Sequence, residues 1–401
     1  MEFCITSKPG LTHRVFSCLL GIVCAGSVLT ALADEQPAFS LQGFGTLGAV
    51  RTSSDEVQFV RDLSQPYGAG RSWDARVDSV LGVQANWRIS PQMDAVVQAV
   101  SRYHYDKTFM PEVSWAFLKY EPSPNLSLRA GRLGTEFFIL SDSRLVGYSN
   151  LAVRPPGDFF WSLPFYSING ADVALTLPQG DHLLRGKLFY GISDEKIPFV
   201  DKQWDLDGST MAGGYVDYLA GGWQFRASYA NLLFKNDIPL EGFLQAFPSI
   251  AQQTAAYLTM RNRRTHYYSL GTVYDSGPWQ LQLMLNHIRQ ESQAFESSDS
   301  GYVLTGYRIG SVTPYIGYSW VFSKSRESSL NSLAAKLTAK THLDQKTTIL
   351  GARWDVARNV ALKAQWDAIH GAPTSILPYR WEQPGWGGNM DVFSLTMDFV
   401  F

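Results

Sequence analysis

Apolar and polar residues alternate singly along most of this chain. In Trp279-Gln-Leu-Gln-Leu-Met-Leu-Asn286, Trp279, Leu281, Leu283 and Leu285 share one parity while Gln280, Gln282 and Asn286 hold the other. A period of two fits a pleated strand with one apolar face; no helix would need it. The same reading applies to 77–88, 171–177, 223–234, 348–354 and 362–368. It applies again at the end of the chain, where Phe393, Leu395, Met397, Phe399 and Phe401 oppose Ser394, Thr396 and Asp398. Strands of about ten residues are the predicted element throughout.

The connections between them alternate in length. Short turns rich in Gly, Pro, Asn or Ser are predicted at 89–92, 122–125, 178–182, 220–222, 275–278, 311–313 and 356–359. Between these lie connections that are mostly longer, at 52–74, 106–110, 134–167, 194–209, 235–263, 292–300, 324–345 and 371–390. Eight loops and seven turns join sixteen strands, within a range of fourteen to eighteen because the segments near Val113 and Met211 alternate weakly. No linker or low-complexity tract interrupts the pattern, so residues 34–401 are expected to form one domain.

Two features decide which solvent the apolar parity meets. Trp87, Trp223, Trp279 and Trp354 lie on that parity, each within a few residues of a short turn. A soluble core gives no reason for indoles to gather at one end of the strands, whereas a membrane interface does. The other parity carries charge in mid-strand, at Asp78, Arg102, Arg129, Asp172, Arg185, Arg226, Arg353, Lys363 and Asp367. In a dry core each would cost several kcal/mol unless paired, while a water-filled lumen hydrates it. The expected fold is therefore all-β, a transmembrane antiparallel barrel wide enough for an aqueous channel.

Lys8 and Arg14 precede an apolar run from Val15 to Leu29 that leads into Ala31-Leu32-Ala33. This is the order of a secretory signal peptide, predicted as 1–33 with cleavage after Ala33. Cys4, Cys18 and Cys24 all lie inside it, so the remaining chain is cysteine-free and relies on size rather than disulfides. The formal net charge is −2, or −3 once Glu2, Lys8 and Arg14 are removed with the leader, which gives no sign of a nucleic-acid partner. The histidines show no metal-ligand spacing and no Gly-x-Ser-x-Gly elbow occurs, so no catalytic, cofactor or metal residue is assigned.

The third long connection stands apart. Residues 134–167 contain eight aromatics and three prolines, an apolar loop expected to pack against something rather than sway in water. Arg261, Arg263 and Arg264 form a basic cluster at the end of the fifth loop, where lipopolysaccharide phosphate could bind.

A leader, a cysteine-free chain, about sixteen amphipathic strands and a last strand ending in phenylalanine resemble the general porin superfamily of Gram-negative outer membranes. The resemblance implies a third loop folded into the barrel to narrow the pore, following a strand that ends in Gly-Arg, here Gly131-Arg132. Arg132 would then line a constriction beside Arg102 and Arg129, facing loop acids Asp142 and Asp158, with Arg144 on the same loop. An unbulged strand, however, points Arg129 inward and Arg132 outward, so the carry-over requires a bulge near Gly131. The resemblance further implies passive diffusion of small hydrophilic solutes or ions, a homotrimer in outer-membrane lipid, and Phe401 as part of the signal read by the barrel-assembly machinery. No cofactor or energy input is implied. A channel specific for a sugar, phosphate or organic acid is an alternative, and an outer-membrane barrel enzyme is a more distant one.

Overall fold

The computed structural model describes residues 38–401 apart from 164, 200–201, 247, 325–331, 373–378, 381 and 384. The predicted leader, 1–33, lies outside the described residues.

Sixteen antiparallel strands close into one barrel. In chain order they are β1 (Phe39–Thr52), β2 (Val80–Ser90), β3 (Met93–Arg102), β4 (Glu112–Ser123), β5 (Leu126–Gly134), β6 (Ser167–Gln179), β7 (His182–Ile192) and β8 (Thr210–Ala220). They continue as β9 (Trp223–Leu233), β10 (Arg264–Ser276), β11 (Trp279–Gln290), β12 (Ser298–Tyr307), β13 (Val312–Ser323), β14 (Asp344–Ala357), β15 (Val360–Gly371) and β16 (Met390–Val400). Each pairs with its chain neighbours, and β1 pairs with β16 from Phe44↔Val400 to Thr52↔Val392. Closure satisfies the backbone of both end strands, which hydrocarbon demands and an open sheet cannot supply. The long connections, L1 to L8 in chain order, and the short turns fall where the alternation places them. One boundary shifts: Val77 and Asp78, read as strand, are buried at the end of L1, and β2 begins at Val80.

The apolar parity faces outward. Leu188 and Leu270 are 67 % and 59 % exposed, values that water would penalise and lipid favours. Trp87, Trp279 and Trp354 are exposed at the short-turn end of their strands, and Trp223 lies beside Tyr274 at 4.6 Å between ring centroids. At the seam, the rings of Phe399 and Phe401 lie over Gly45 and Gly43 of β1, where a Cβ would come within 2.3 and 2.2 Å of them. Glycine there lets an aromatic from the neighbouring strand cover the backbone.

Gly131 of β5 meets a stricter demand. Its φ is +134°, and a Cβ would lie 2.3 Å from the carbonyl oxygen of Ala116 and 2.8 Å from Phe117 Cα. Backbone atoms cannot swing aside, so Gly131→Ala is expected to cost about 1–3 kcal/mol from strain. The readout is the urea midpoint of the heat-modifiable folded form; an unshifted midpoint would contradict the strain.

Inside the barrel the alternation is not uniform. From β8 to β14 the inward parity alternates polar residues such as Ser269, Asn286, Ser300 and Ser319 with a buried apolar set, Met211, Leu232, Tyr267, Met284, Tyr302 and Ile349. They form one core with Phe137, Phe138, Phe159, Phe160 and Phe165 of L3. The apolar part of this sector is covered by L3 instead of water. Each buried phenylalanine contributes roughly 1.5–3 kcal/mol relative to exposure in water. L3 itself carries a 3-10 turn at Gly147–Ser149 and a short helix, α1 (Gly157–Phe160). The core continues outward through Trp204 of L4 and Phe234, Ile238 and Leu258 of L5. L5 folds into α2 (Glu241–Leu244) and α3 (Pro248–Leu258), and L7 contributes α4 (Ser332–Ala339).

Candidate functional site

L3 enters the barrel after Gly134 and is fastened to the wall at several places. A loop threaded through a lumen has no sheet partner for its carbonyl groups, and wall side chains take that role. Arg226 of β9 donates Nη1 to the carbonyl oxygens of Glu136 at 2.8 Å and Phe138 at 3.1 Å, while Asp217 of β8 holds its Nε at 2.6 Å. Lys363 of β15 donates Nζ to the carbonyls of Gly147 at 2.7 Å, Asn150 at 2.6 Å and Ala152 at 3.0 Å. Asp398 of β16 balances that ammonium at 3.2 Å. Arg353 of β14 reaches the carbonyls of Tyr148 at 2.7 Å and Asn150 at 3.1 Å. The loop passes so close to the wall that a Cβ at Gly147 would lie 2.1 Å from Asp398 Oδ1. On its return, Tyr267 of β10 donates to the carbonyl of Ser162 at 3.0 Å.

Charged groups gather at three places along this path. Beside β5 to β7, Arg129 pairs with Glu136 of L3 at 2.6 Å and with Asp172, and Lys187 closes on the same Glu136. Burial alone would raise the Glu136 carboxyl, but Arg129 and Lys187 hold it well below the ordinary carboxylate range.

The second place joins L1, L3 and β3. The guanidinium carbons of Arg102 and Arg144 lie 3.9 and 3.7 Å from the ring centroid of Tyr166. Two cations that close cannot share one face, so the phenol is held between them. Tyr166 donates its hydroxyl to Asp62 of L1, Arg102 donates to Ser64 at 2.5 Å, and Arg61 donates to the carbonyl of Arg144 at 2.5 Å. Burial works against ionised Asp62, yet Arg102, the Ser64 and Tyr166 hydroxyls and Arg144 outweigh it and bring its pKa to about 2. A depressed carboxyl stabilises the fold fully above its ordinary value of 3.8, and that contribution is lost as pH falls through about 2. This clasp between L1 and L3 is thus ionised at neutral pH.

The third place is centred on Arg154 of L3. Its Nε and Nη2 bind Asp78 at 3.0 and 2.6 Å, Nη1 binds Asp367 of β15 at 3.0 Å, and Nη2 also reaches Ser394 of β16 at 2.5 Å. Nearby, Asp158 accepts from Ser319 of β13 at 2.6 Å and from Gln345 of β14. Burial pushes its carboxyl up, only partly offset by hydrogen bonds from Ser319, Thr347 and Gln345. Between L1, L3 and β13 to β15 lies a small pocket lined by Asp62, Arg154, Asp158, Trp161 and Asp367 among others.

The predicted residues are therefore not gathered at one eyelet. Arg102 and Arg144 meet at Tyr166, Arg129 belongs to the Glu136 cluster, and Asp158 sits across the lumen against β13 and β14. Asp142 is exposed, receives the Ser143 N–H at 2.9 Å, and forms no ion pair among the described residues. Arg132 needs correction. Strand pairing runs without a shift from Leu126 to Gly134 against β6, so no bulge changes its parity and it lies opposite to Arg129. It pairs instead with Asp194 at 2.5 Å at the base of L4. Glu136, Arg154, Tyr166, Lys187 and Asp62 went unassigned in the sequence. A lone arginine before Pro155-Pro156 in an apolar loop was the available signal for Arg154, since such a cation needs buried acids.

The fold is a closed sixteen-strand antiparallel barrel with its third long loop fastened inside. No family model and no curated protein matches the chain. Among solved structures it is similar to OmpF of Salmonella typhi in complex with daunomycin, at 13% identity and a TM-score of 0.56 over 90% of this chain and 97% of that one. It is similar also to an anion-selective porin from Comamonas acidovorans, at 14% identity and a TM-score of 0.55 over 90% and 99%. Outer-membrane expressed OmpT of Vibrio cholerae aligns at 12% identity with a TM-score of 0.53 over 92% and 99%. At such identities the likeness is one of fold.

Proposed function

We propose that the protein is a channel of a bacterial outer membrane through which small hydrophilic solutes or ions diffuse down their gradients. The observation that carries this reading is an apolar, proline-containing loop fastened inside a closed, lipid-compatible barrel by the wall cations Arg226, Lys363 and Arg353. The sector lined by β1 to β7 keeps polar inward residues such as Gln84, Gln98 and Arg129, and it is the expected water path. Transport then depends on the radius left by L3 and on the field of the charges beside it. The constriction residues in this reading are Arg102, Arg129, Arg144, Asp142 and Asp158, without Arg132.

Export through a cleaved leader, insertion by the barrel-assembly machinery through the strand ending in Phe401, contact with lipopolysaccharide, and a homotrimer complete the reading. The trimer form recorded for Vibrio cholerae OmpT supports the last of these. Purified protein added to a planar bilayer is expected to give ohmic conductance steps. A folded protein that gives none but hydrolyses lipid or peptide would replace the channel with a barrel enzyme.

A further inference from the structure

Arg185 of β7 has no counter-ion. It lies on the inward parity with Lys187, half-buried, and forms neither a hydrogen bond nor an ion pair among the described residues. Its register partner on β8 is Asp217, close enough across an antiparallel pair to neutralise it. Asp217, however, is fully buried and already held by Arg226 through two N–H groups at 2.6 and 2.7 Å. The register partner on β6 is Thr176, which is neutral.

The other wall cations beside L3 are committed to acids. Arg129 and Lys187 close on Glu136 and Asp172, Arg353 on Asp355, and Lys363 on Asp398. Arg102 has Glu112 beside it. To an ion in the lumen each such pair is a dipole, whose field falls off steeply, whereas an uncompensated charge acts over a Debye length, about 8–10 Å at ordinary salt. Among the charged residues of L3, the one that is exposed and forms no ion pair among the described residues is the acid Asp142. Arg185 also stands where a charge matters. Lys187 fastens L3 through Glu136, and Arg185 follows two residues away, about 7 Å along the strand on the short-turn side.

We propose that Arg185 is a specificity-determining residue of the channel, the wall charge that favours small anions, with Asp142 of L3 opposing it. Arg102 and Arg129 then shape the passage by holding loop and wall together, and the ion preference comes from the two charges left free. The inference rests on the channel reading and deepens it. Reversal potentials of single channels under a KCl gradient give the ratio of chloride to potassium permeability.

One elementary charge beside the path of an ion is worth about two-fold in that ratio at ~0.1 M salt. Arg185→Gln should therefore lower it about two-fold and Arg185→Glu about four-fold. Arg185→Lys should keep the wild-type ratio because the charge stays, and Asp142→Asn should raise it about two-fold. These shifts should shrink at ~1 M salt, where screening is nearly complete beyond about 3 Å. A ratio unchanged in Arg185→Gln and Arg185→Glu, or shifted as far by Arg185→Lys as by Arg185→Gln, would overturn the assignment. Should the Arg185 variants not fold, Asp142→Asn decides, and a ratio that it leaves unmoved overturns the proposal. Ohmic steps with an unmoved ratio would sink this inference and leave the channel standing, whereas a folded wild type without conductance would remove both.

Discussion

Replacing Arg154 with alanine is expected to lower the stability of the folded barrel by roughly 3–5 kcal/mol, the cost of leaving buried carboxylates without their cation. Arg154 is nearly inaccessible and holds Asp78 of L1 and Asp367 of β15 at once. It therefore ties another loop, the wall and the closing strand to L3 at once. Both acids are as buried as the arginine, so its loss cannot be made good by water without opening the lumen. Arg154→Lys should recover part of the loss, because an ammonium keeps the charge but cannot make the forked contact to Asp78. Urea unfolding of the protein in lipid vesicles, followed by tryptophan fluorescence, reads the difference. An Arg154→Ala midpoint equal to wild type would show that the two acids do not depend on it.

Much of the scaffold is legible in the sequence. Single alternation around Trp279 to Asn286 and the turn chemistry between strands locate the sixteen-strand barrel, because a sheet in lipid must show one parity outward along every strand. The outward tryptophans and the paired closing strand follow from the same rule. What the alternation could not reveal is the sector from β8 to β14, where Tyr267, Met284 and Tyr302 face inward as apolar residues. A period of two says which residues share a face, not what covers that face, and here the cover is a loop distant in sequence.

The site was legible in part. The aromatics of 134–167 announced a packed loop, and the wall arginines Arg102 and Arg129 do face inward. The individual contacts were not visible, because they depend on where L3 crosses the barrel and on L1 folding in with Asp62 and Arg61. Arg132 illustrates the limit of a short motif. Gly131-Arg132 matched, yet strand parity sends the side chain to Asp194, and parity outranks the dipeptide.

A channel of this design has L3 as the narrowest section of its conducting lumen. Replacing residues 140–162 with a short Gly-Ser link removes α1 and the strap held by Lys363 and Arg353, and leaves the wall hydrogen bonds between strands in place. The narrowest section dominates the resistance of a pore, so the largest functional change of any variant is expected here. The deciding measurement is single-channel conductance of this variant and of the wild type, in bilayers with polyethylene glycols of increasing size, on protein shown to be folded by heat-modifiable migration. A several-fold rise in open-channel conductance is expected, together with entry of larger polymers. A folded variant with wild-type conductance and an unchanged polymer cut-off would contradict it.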